Sequence, residues 1–326
     1  MLNLAILGCG RIGQVHAASI AQVPDAQVTA VVDAMPAAAA ALAQKTGAPA
    51  TTVAEAFDLA DGVIIGTPTD THFDLIHGAA AKGKAIFCEK PVDMDADRIR
   101  TCAEAVAHAG VPFMAGFNRR FDPNFASLRA RLRAGDIGAP EIVTILSRDP
   151  SPPPLSYVQS SGGIFRDMMI HDLDMARFLL GEEPVMVQAT GAALVDPEVG
   201  RLGDVDTAAV LLTTASGKIA QISNSRRASY GYDQRIEVHG ARGLLRADNQ
   251  LENTVEMADD KGFCRAPTQH FFLERYASAY LAEMRAFVGT VTQGTAPDPS
   301  IDDGLKAQIL ADAATTAWQE RRVIHL

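Results

Sequence analysis

Cysteine, tryptophan and long apolar runs are scarce in this 326-residue chain. The four cysteines, Cys9, Cys88, Cys102 and Cys264, form no C-x-x-C pair, so neither a disulfide framework nor a metal site is indicated. A reducing cytoplasm is the simplest expectation for such a chain. No apolar run approaches the ~18 residues of a membrane span. No basic segment precedes the short apolar run at residues 2–7, so no targeting signal is expected.

Positive charge is also in deficit. The chain has 29 Lys and Arg against 39 Asp and Glu, a net charge of -10, which argues against nucleic acid and anionic membranes as main partners. Its 48% hydrophobic and 21% charged residues are typical of a globular protein. At ~150 residues per domain, the length predicts two domains.

The most informative local motif is a glycine-rich turn that follows the apolar run at residues 2–7. A helical stretch and a second strand, residues 27–32, come next, and this strand–helix–strand setting is typical of a dinucleotide-binding site. The first glycine permits a tight turn, the second lets the backbone approach a pyrophosphate, and the third lets the helix pack on the strand. The helix N-terminus attracts the phosphates. The predicted cofactor-binding residues of this turn are Gly8, Gly10, Arg11, Ile12 and Gly13.

An acidic residue, Asp33, ends the second strand, 20 residues beyond the third glycine. Its carboxylate is placed to accept hydrogen bonds from both ribose hydroxyls, and it would repel a 2′-phosphate. Residues 34–36 supply no arginine to bind such a phosphate. The predicted cofactor is therefore NAD rather than NADP, with a glycine-rich turn of an unrelated α/β protein as the alternative.

Further α/β alternation follows, with strands predicted at residues 60–65, 85–88 and 111–116. Ligands gather at the carboxyl ends of strands in such a sheet. Lys90 is followed by a proline, which restricts its backbone and so fixes where its ammonium points. The positive charge of Lys90 would stabilise an alkoxide that develops on the substrate. The alternative interpretations are that Lys90 is a surface residue and that His72 only begins a helix. The candidate cofactor contacts are Thr67, Pro68, His72, Glu89 and Lys90.

A second group of candidates lies in residues 162–181, which are predicted to form one helix of about five turns. At ~100° per residue, Asp167, His171 and Asp174 fall within roughly 60° of one another. An imidazole with carboxylates one turn away is suited to act as a general base, although a structural histidine is the commoner case. Asp172 projects between apolar residues and is expected to cap a neighbouring backbone segment.

Together these motifs resemble the Gfo/Idh/MocA oxidoreductase family. The resemblance rests on the glycine-rich turn, Thr67-Pro68, Glu89-Lys90-Pro91, the run at residues 116–122, and a D-x-x-x-H-x-x-D motif that begins at Asp167. It covers nearly the whole chain. It implies an α/β protein with a Rossmann NAD-binding domain, residues 1–118, and a second α/β domain, residues 119–326. The second domain would contain a large open, mostly antiparallel sheet, whose exposed face builds homodimers and homotetramers.

The resemblance also implies residue roles. Lys90, Asp167 and His171 would form the catalytic group, and residues 118–122 would lie at the site entrance or support it. In a Tyr-Gly-Tyr-Asp motif, the second tyrosine, Tyr232, would reach a polyol. Asn118 stands where many relatives carry Met, and Asp149 stands where some carry Asn. The expected substrate-binding residues are Lys90, Asn118, Asp149, Asp167, His171 and Tyr232.

The expected activity is NAD-dependent oxidation of a ring carbinol of a small-molecule polyol, with myo-inositol at its axial hydroxyl as the leading substrate. A related dehydrogenase acting on scyllo-inositol or an aldose is the nearest alternative. An NAD-dependent glycoside hydrolase and a non-catalytic NAD-sensing protein are alternatives of other classes.

Several predictions concern the rest of the second domain. Alternating segments at residues 185–195, 207–214, 218–225, 235–239 and 243–247 predict an antiparallel meander. The proline-rich loop around Pro152 to Pro154 is expected to be a rim over the site, a lid, a subunit contact or a plain connector. Arg226 and Arg227 are expected to be a surface or interface pair. Residues 272–291 and 301–319 predict two closing helices.

Overall fold

The computed structural model describes residues 1–326 and divides them into two compact units. The first unit contains Met1–Phe121 and Ala277–Gln308, and the second contains Asp122–Tyr276 and Ile309–Leu326. None of the helices has the length and apolar character that crossing a membrane requires. The expected division lies after residue 118, whereas the first unit runs to Phe121 and residues 277–308 return to it.

The first unit is built on a five-stranded parallel sheet with the order β2-β1-β3-β4-β5. Its strands are near-continuous buried apolar runs, as expected where helices cover both faces of a sheet. The strand order reverses between β1 and β3, and this is where such sheets bind ligands. The strands are β1 (Leu2–Leu7), β2 (Ala26–Val32), β3 (Gly62–Ile65), β4 (Ala85–Glu89) and β5 (Phe113–Gly116).

Five helices and two 3₁₀ turns, Thr69–Thr71 and Asn118–Phe121, connect and follow these strands. The last helix shows why the boundaries fall where they do. The Asp95 side chain caps its N-terminus by accepting from the Asp97 amide, and Gly110 ends it in the left-handed conformation. The helices are α1 (Arg11–Ile20), α2 (Pro36–Thr46), α3 (Val53–Leu59), α4 (His72–Ala81) and α5 (Ala96–Ala109).

The second unit is built on a seven-stranded sheet with the order β11-β10-β6-β9-β8-β7-β14. Along β8, Ala208, Val210 and Leu212 are buried while the residues between them are more exposed, the alternation of a sheet with one covered face. A separate hairpin, β12 (Glu256–Asp259) and β13 (Gly262–Arg265), lies outside it. The sheet strands are β6 (Pro140–Arg148), β7 (Pro184–Ala192), β8 (Thr207–Thr214), β9 (Ile219–Ser225), β10 (Asp233–Gly240), β11 (Gly243–Ala247) and β14 (Ile324–His325).

The strand order corrects the predicted meander. β6 lies between β9 and β10 and runs parallel to β9, whereas the other pairs of the sheet are antiparallel. The sheet is therefore mostly antiparallel, as expected, but β9 and β10 are not neighbours. Residue alternation sets which face of a strand is buried, whereas its neighbours depend on pairing between distant segments.

The helices of the second unit are mostly short. The longest, α6 and α9, have 11 residues each, and Asp122 caps α6 by accepting from the amides of Asn124 and Phe125. The helices are α6 (Pro123–Arg133), α7 (Leu155–Val158), α8 (Ile164–Asp167), α9 (Ile170–Leu180), α10 (Pro197–Arg201) and α11 (Phe272–Arg275).

The single helix predicted over residues 162–181 is wrong, because the structure has α8 and α9 instead. The amides of Met168 and Met169 both donate to the Ile164 carbonyl, at 3.0 and 2.9 Å, which widens the turn before α9 begins. Gly162 and Gly163 have φ of +80° and +87°, so neither belongs to a helix. The ~100° spacing applies to His171 and Asp174 within α9, but it does not relate either of them to Asp167.

The closing helices are α12 (Ala277–Gln293) and α13 (Ile301–Glu320). The prediction of one helix over residues 272–291 missed the break at Tyr276, where φ is -110° and ψ is 13°. α12 packs in the core of the first unit, where the Phe287 and Phe87 rings meet edge to face with centroids 5.7 Å apart. This apolar face explains why residues 277–308 belong to the first unit.

Candidate active site

The glycine-rich turn has the backbone geometry that a dinucleotide requires. Gly8 has a φ of +97°, and a Cβ there would lie 2.6 Å from the Gly66 carbonyl carbon, while a Cβ at Gly13 would lie 1.9 Å from the Gly8 oxygen. A Cβ at Gly10 would meet nothing within 4 Å. The first and third glycines thus permit close packing inside the unit, while the second leaves open space for a phosphate beside α1, which begins with Arg11 and Ile12.

Asp33 is fixed by this turn. Its two carboxylate oxygens accept from the backbone amides of Cys9 at 2.7 Å and Met35 at 2.8 Å. A carboxylate has about four lone-pair positions, so acceptor capacity remains for ribose hydroxyls. The turn and this acid therefore fit NAD.

The segments that follow β3 and β4 are joined through His72. Its ring is 1% exposed, with Nδ1 3.0 Å from the Pro91 carbonyl oxygen and Nε2 3.0 Å from the Thr67 carbonyl oxygen. Burial lowers the pKa of His72, against the opposing effect of these carbonyls. His72 thereby fixes the backbone at Thr67-Pro68 and beyond Lys90, and its predicted contact with the cofactor stays a prediction.

Glu89 is the last residue of β4, and its carboxylate lies against buried residues of α1 and β5. Its Oε1 is 2.6 Å from Nε2 of His16, a fully buried residue of α1. A Cβ at Gly116 would lie 3.0 Å from Glu89 Oε2, so only glycine at the end of β5 leaves room for the carboxylate. Lys90 follows at the carboxyl edge of the sheet, where the predicted site lies. Sequence reasoning missed His16, although its position in the helix after the glycine-rich turn was a usable signal.

Asp167 ends α8, and its two oxygens accept from side chains of other segments. Oδ1 accepts from the Tyr157 hydroxyl at 2.7 Å, and Oδ2 accepts from the Arg226 guanidinium at 3.0 Å. Burial and the Asp167 charge raise the pKa of Tyr157. The prediction that Arg226 and Arg227 form a surface or interface pair is wrong for Arg226, which is 2% exposed. Arg227 is exposed. Neighbouring side chains at the end of a strand point to opposite faces, which separates the two arginines.

His171 lies in the first turn of α9, next to a second fixed carboxylate, Asp172. The oxygens of Asp172 accept from the side-chain amides of Asn224 at 2.8 Å and Gln234 at 3.2 Å, where the sequence suggested a backbone segment. Asn224 and Arg226 are two residues apart at the end of β9. This one segment therefore binds Asp172 and Asp167, the two carboxylates that flank His171 in the sequence.

Asp174 is buried in α9 and contacts an arginine of the same helix. It is 1% exposed and lies 3.4 Å from Arg177 Nη1, and Arg177 also binds Glu183 at 2.6 Å. Asp174 therefore forms a buried ion pair with Arg177 in α9, and Arg177 extends it to the exposed Glu183.

Two other candidates of the second unit lie beside this group. Asp149 follows β6, and its amide donates to the Ser225 carbonyl at the end of β9. Tyr232 directly precedes β10, whose Asp233 pairs with Arg148. Tyr232 is 4% exposed, and its ring meets Tyr276 edge to face at 5.8 Å. The ends of three adjacent strands thus bring Asp149, Arg226 and Tyr232 together.

The run at residues 118–122 is buried, as a supporting role requires. Asn118 is 4% exposed and belongs to the first unit, where Arg120 binds Asp298 at 2.6 Å and Asp303 at 2.9 Å. Burial raises the pKa of Asp303, but Arg120 and the hydrogen bonds from Ser300 outweigh it and lower the pKa to about 2. No group of three or more His, Cys, Asp or Glu residues is arranged to hold a metal ion.

Both parts of the chain match known families. Residues 2–117 match the oxidoreductase family with an NAD-binding Rossmann fold, and residues 125–246 match the GFO/IDH/MocA C-terminal domain. An inositol 2-dehydrogenase of Rhizobium meliloti is 52% identical over 328 aligned residues, covering 100% of this chain and 99% of the relative.

Solved structures agree with these matches. A myo-inositol dehydrogenase from Corynebacterium glutamicum is 43% identical with a TM-score of 0.95, covering 100% of this chain and 99% of its own. A scyllo-inositol dehydrogenase from Lactobacillus casei, solved with NAD(H) and scyllo-inositol, is 30% identical with a TM-score of 0.93, again covering 100% and 99%.

Proposed function

The chain belongs to the Gfo/Idh/MocA oxidoreductase family, and we propose that it oxidises a cyclitol with NAD, converting myo-inositol to 2-keto-myo-inositol (scyllo-inosose). The observation that carries this proposal is the full-length 52% identity to an inositol 2-dehydrogenase. Lys90, Asp167 and His171, which the family resemblance assigns to catalysis, are all present.

Each member of this group has a separate task. Bound NAD would accept the hydride, that is the hydrogen and two electrons, that leaves the carbinol carbon. His171 takes the hydroxyl proton as general base. Asp167 orients His171 and accepts from a substrate hydroxyl, and the Lys90 ammonium stabilises negative charge that develops on the reacting oxygen.

Cofactor and substrate choice follow from other residues. Asp33 favours NAD because its carboxylate would repel a 2′-phosphate. Asn118, Asp149 and Tyr232 bind the remaining hydroxyls of the ring. The adjacent ends of β6 and β10, which carry Asp149 and Tyr232, support a shared role of these two residues in binding the polyol.

The cellular setting is a further part of the proposal. The enzyme works in the cytoplasm in inositol catabolism, as a homotetramer or homodimer that forms through the open sheet of the second unit. Four free cysteines are in keeping with a reducing compartment. Half-buried apolar residues on one face of the sheet support such an interface: Ile142, Leu146, Leu211 and Ile219.

Steady-state assays with a panel of cyclitols and aldoses, each with NAD and with NADP, test the function by NADH or NADPH formation. The expected result is rapid NADH formation with myo-inositol. Preferred turnover of scyllo-inositol would favour the second candidate, which the 30% identical Lactobacillus relative supports. An aldose preference, or no net NADH from any free polyol, would contradict the proposal, the latter favouring an NAD-dependent glycoside hydrolase.

The residue roles have their own test. His171→Ala and Lys90→Met should each lower kcat by about 10²-fold or more, because each removes a group that acts in the transition state. Lys82→Met is the matched control, since Lys82 lies at the surface with a half-exposed ammonium bound to Asp58. Near-wild-type turnover of either active-site variant would refute its role.

A further inference from the structure

Two side chains outside the predicted catalytic group bind Asp167. Tyr157 comes from α7, directly after the proline-rich loop, and Arg226 comes from the residue after β9. Resting on the proposed function, we propose that Arg226 and Tyr157 are positioning residues, which keep Asp167 ionised and in one orientation for its work with His171.

Arg226 projects from a fixed backbone. Its amide donates to the Asp206 carbonyl at 2.8 Å, and the buried Asp206 carboxylate accepts from the amides of Leu194, Val195 and Asp196 at 2.8 to 2.9 Å. The guanidinium is buried at 2% exposure and lies 3.0 Å from Asp167. A buried cation is costly unless a carboxylate compensates it, so the position of Arg226 is explained by Asp167.

Tyr157 connects the proline-rich loop to the same carboxylate. Its hydroxyl donates to Oδ1 of Asp167 at 2.7 Å, although the residue as a whole is 47% exposed. Hydrogen bonds to an ionised acceptor are stronger than neutral ones. Since Oδ1 and Oδ2 each retain a lone pair, the two donors fix the carboxylate without blocking contacts to His171 or to a substrate hydroxyl.

The other charged groups around Asp167 do not replace Arg226. Asp149 lies close enough to Tyr157 to raise its pKa further, and Asp204 accepts from the Ile164 amide at the start of α8. Both add negative charge. Arg166, the residue before Asp167, binds Asp312 at 2.6 Å. Arg226 is therefore a contacting cation that offsets a local excess of carboxylates.

The first test compares pH profiles of kcat/KM for myo-inositol in Arg226→Met and Arg227→Met. Without the guanidinium, Asp167 and the general base His171 both take up a proton more readily, so the acid limb should move to higher pH by about one unit or more. At neutral pH, kcat should fall roughly 10²-fold, the scale expected when a catalytic group loses its orientation. Arg227→Met, which changes the exposed neighbour, should retain the wild-type profile.

Arg226→Lys provides the conservative comparison. Lysine keeps the charge but lacks the planar guanidinium, so the acid limb should return towards the wild-type position while kcat recovers only in part. This variant also covers the case in which Arg226→Met does not fold. An acid limb in Arg226→Met that coincides with the wild type, despite lowered kcat, would overturn the proposal in favour of a purely structural role. An acid limb in Arg226→Lys displaced by a full unit, although the charge is kept, would overturn it as well.

Tyr157 has a matched control in Tyr230, which is 49% exposed and donates to a different carboxylate, Asp233, at 2.6 Å. Tyr157→Phe should lower kcat about tenfold by removing one charge-assisted hydrogen bond. KM should change little, because the hydroxyl binds Asp167 and not the substrate. Tyr230→Phe should keep kcat. Equal effects of the two substitutions would contradict the role of Tyr157.

A substrate-free measurement separates this proposal from the proposed function. Thermal unfolding midpoints of Arg226→Met, Asp167→Asn and the double variant form a cycle, in which paired residues give non-additive changes. The fall in the double variant should be clearly smaller than the two single falls combined. Additive falls overturn the pairing even if the enzyme oxidises myo-inositol, while inactivity towards all cyclitols overturns the proposed function even if the pairing stands.

Discussion

The two units contain buried carboxylates in contrasting surroundings. In the second unit, Asp122, Asp172 and Asp206 are each bound by donors that match both oxygens. In the first unit, Glu283 of α12 is fully buried close to Glu89, and neither of its oxygens makes a hydrogen bond. The same chemical group is therefore met by hydrogen-bond donors in one place and by none in the other.

The contrast has a direct electrostatic consequence. Burial, and then the charge of Glu89, raise the pKa of Glu283 well above its usual value. Ionisation of Glu283 is therefore disfavoured, because it would place a second negative charge beside Glu89. Asp122, by comparison, forms an ion pair with the buried Arg275 and caps α6. A buried acid stays charged where donors or cations converge on it.

The largest effect is expected at Asp122. Asp122→Ala should lower the free energy of unfolding by about 3–5 kcal/mol, because it leaves the buried Arg275 charge without its partner. Asp136→Ala removes a half-exposed partner of Arg131, 2.7 Å away, and should cost less than ~1 kcal/mol. Chemical denaturation measures both. Similar values for the two variants would remove the distinction between buried and surface pairs.

A smaller effect is expected at Asp172. Asp172→Asn should lower the free energy of unfolding by about 1–3 kcal/mol, since an amide nitrogen would then face the donating amide of Asn224 or Gln234. The control is Asp248→Asn, at an exposed carboxylate bound to Arg246. Chemical denaturation should show almost no change for that control. An unchanged Asp172→Asn protein would show that Asp172 does not need its charge.

Glu283 tests the case of a buried carboxyl group that makes no hydrogen bond. Its folded-state pKa is raised, so its contribution to stability is full below the unfolded pKa near 4.5 and declines as pH rises towards the folded value. Glu283→Gln should therefore stabilise the protein increasingly above about pH 5, by at most ~1.4 kcal/mol per pH unit. Denaturation at several pH values measures this difference. Glu104→Gln, at an exposed position of α5, should show no such trend. A destabilised Glu283→Gln protein would mean that Glu283 is ionised.

The parts of the fold and site that were predicted well depend on local sequence. The strands at residues 2–7, 207–214 and 243–247 have the predicted bounds, because apolar runs and turn residues act over short distances. The spacing of the glycines and Asp33 likewise belongs to one strand–helix–strand unit. Family resemblance added Lys90, Asp167 and His171 as the catalytic group, and this assignment remains a prediction.

Other features depend on distant segments and were missed. The insertion of β6 beside β9 joins residues about 80 positions apart. Arg226 looked like one half of a surface pair, because its partner Asp167 is separated from it by 59 positions. Tyr157 and Glu283 carried no sequence pattern that distinguished them from ordinary core or loop residues. Their surroundings exist only once the chain has folded.

The sequence by itself determined the α/β class, the glycine-rich turn that fits NAD, and the residue types available for oxidation of a polyol. Tertiary structure decided how those residues are held: two short helices in place of one, both Asp167 oxygens bound from separate segments, and a buried acid near Glu89 whose pKa is raised. The reason is physical. Backbone propensity and periodicity act between near neighbours, whereas burial, charge compensation and hydrogen-bond satisfaction are properties of the packed chain.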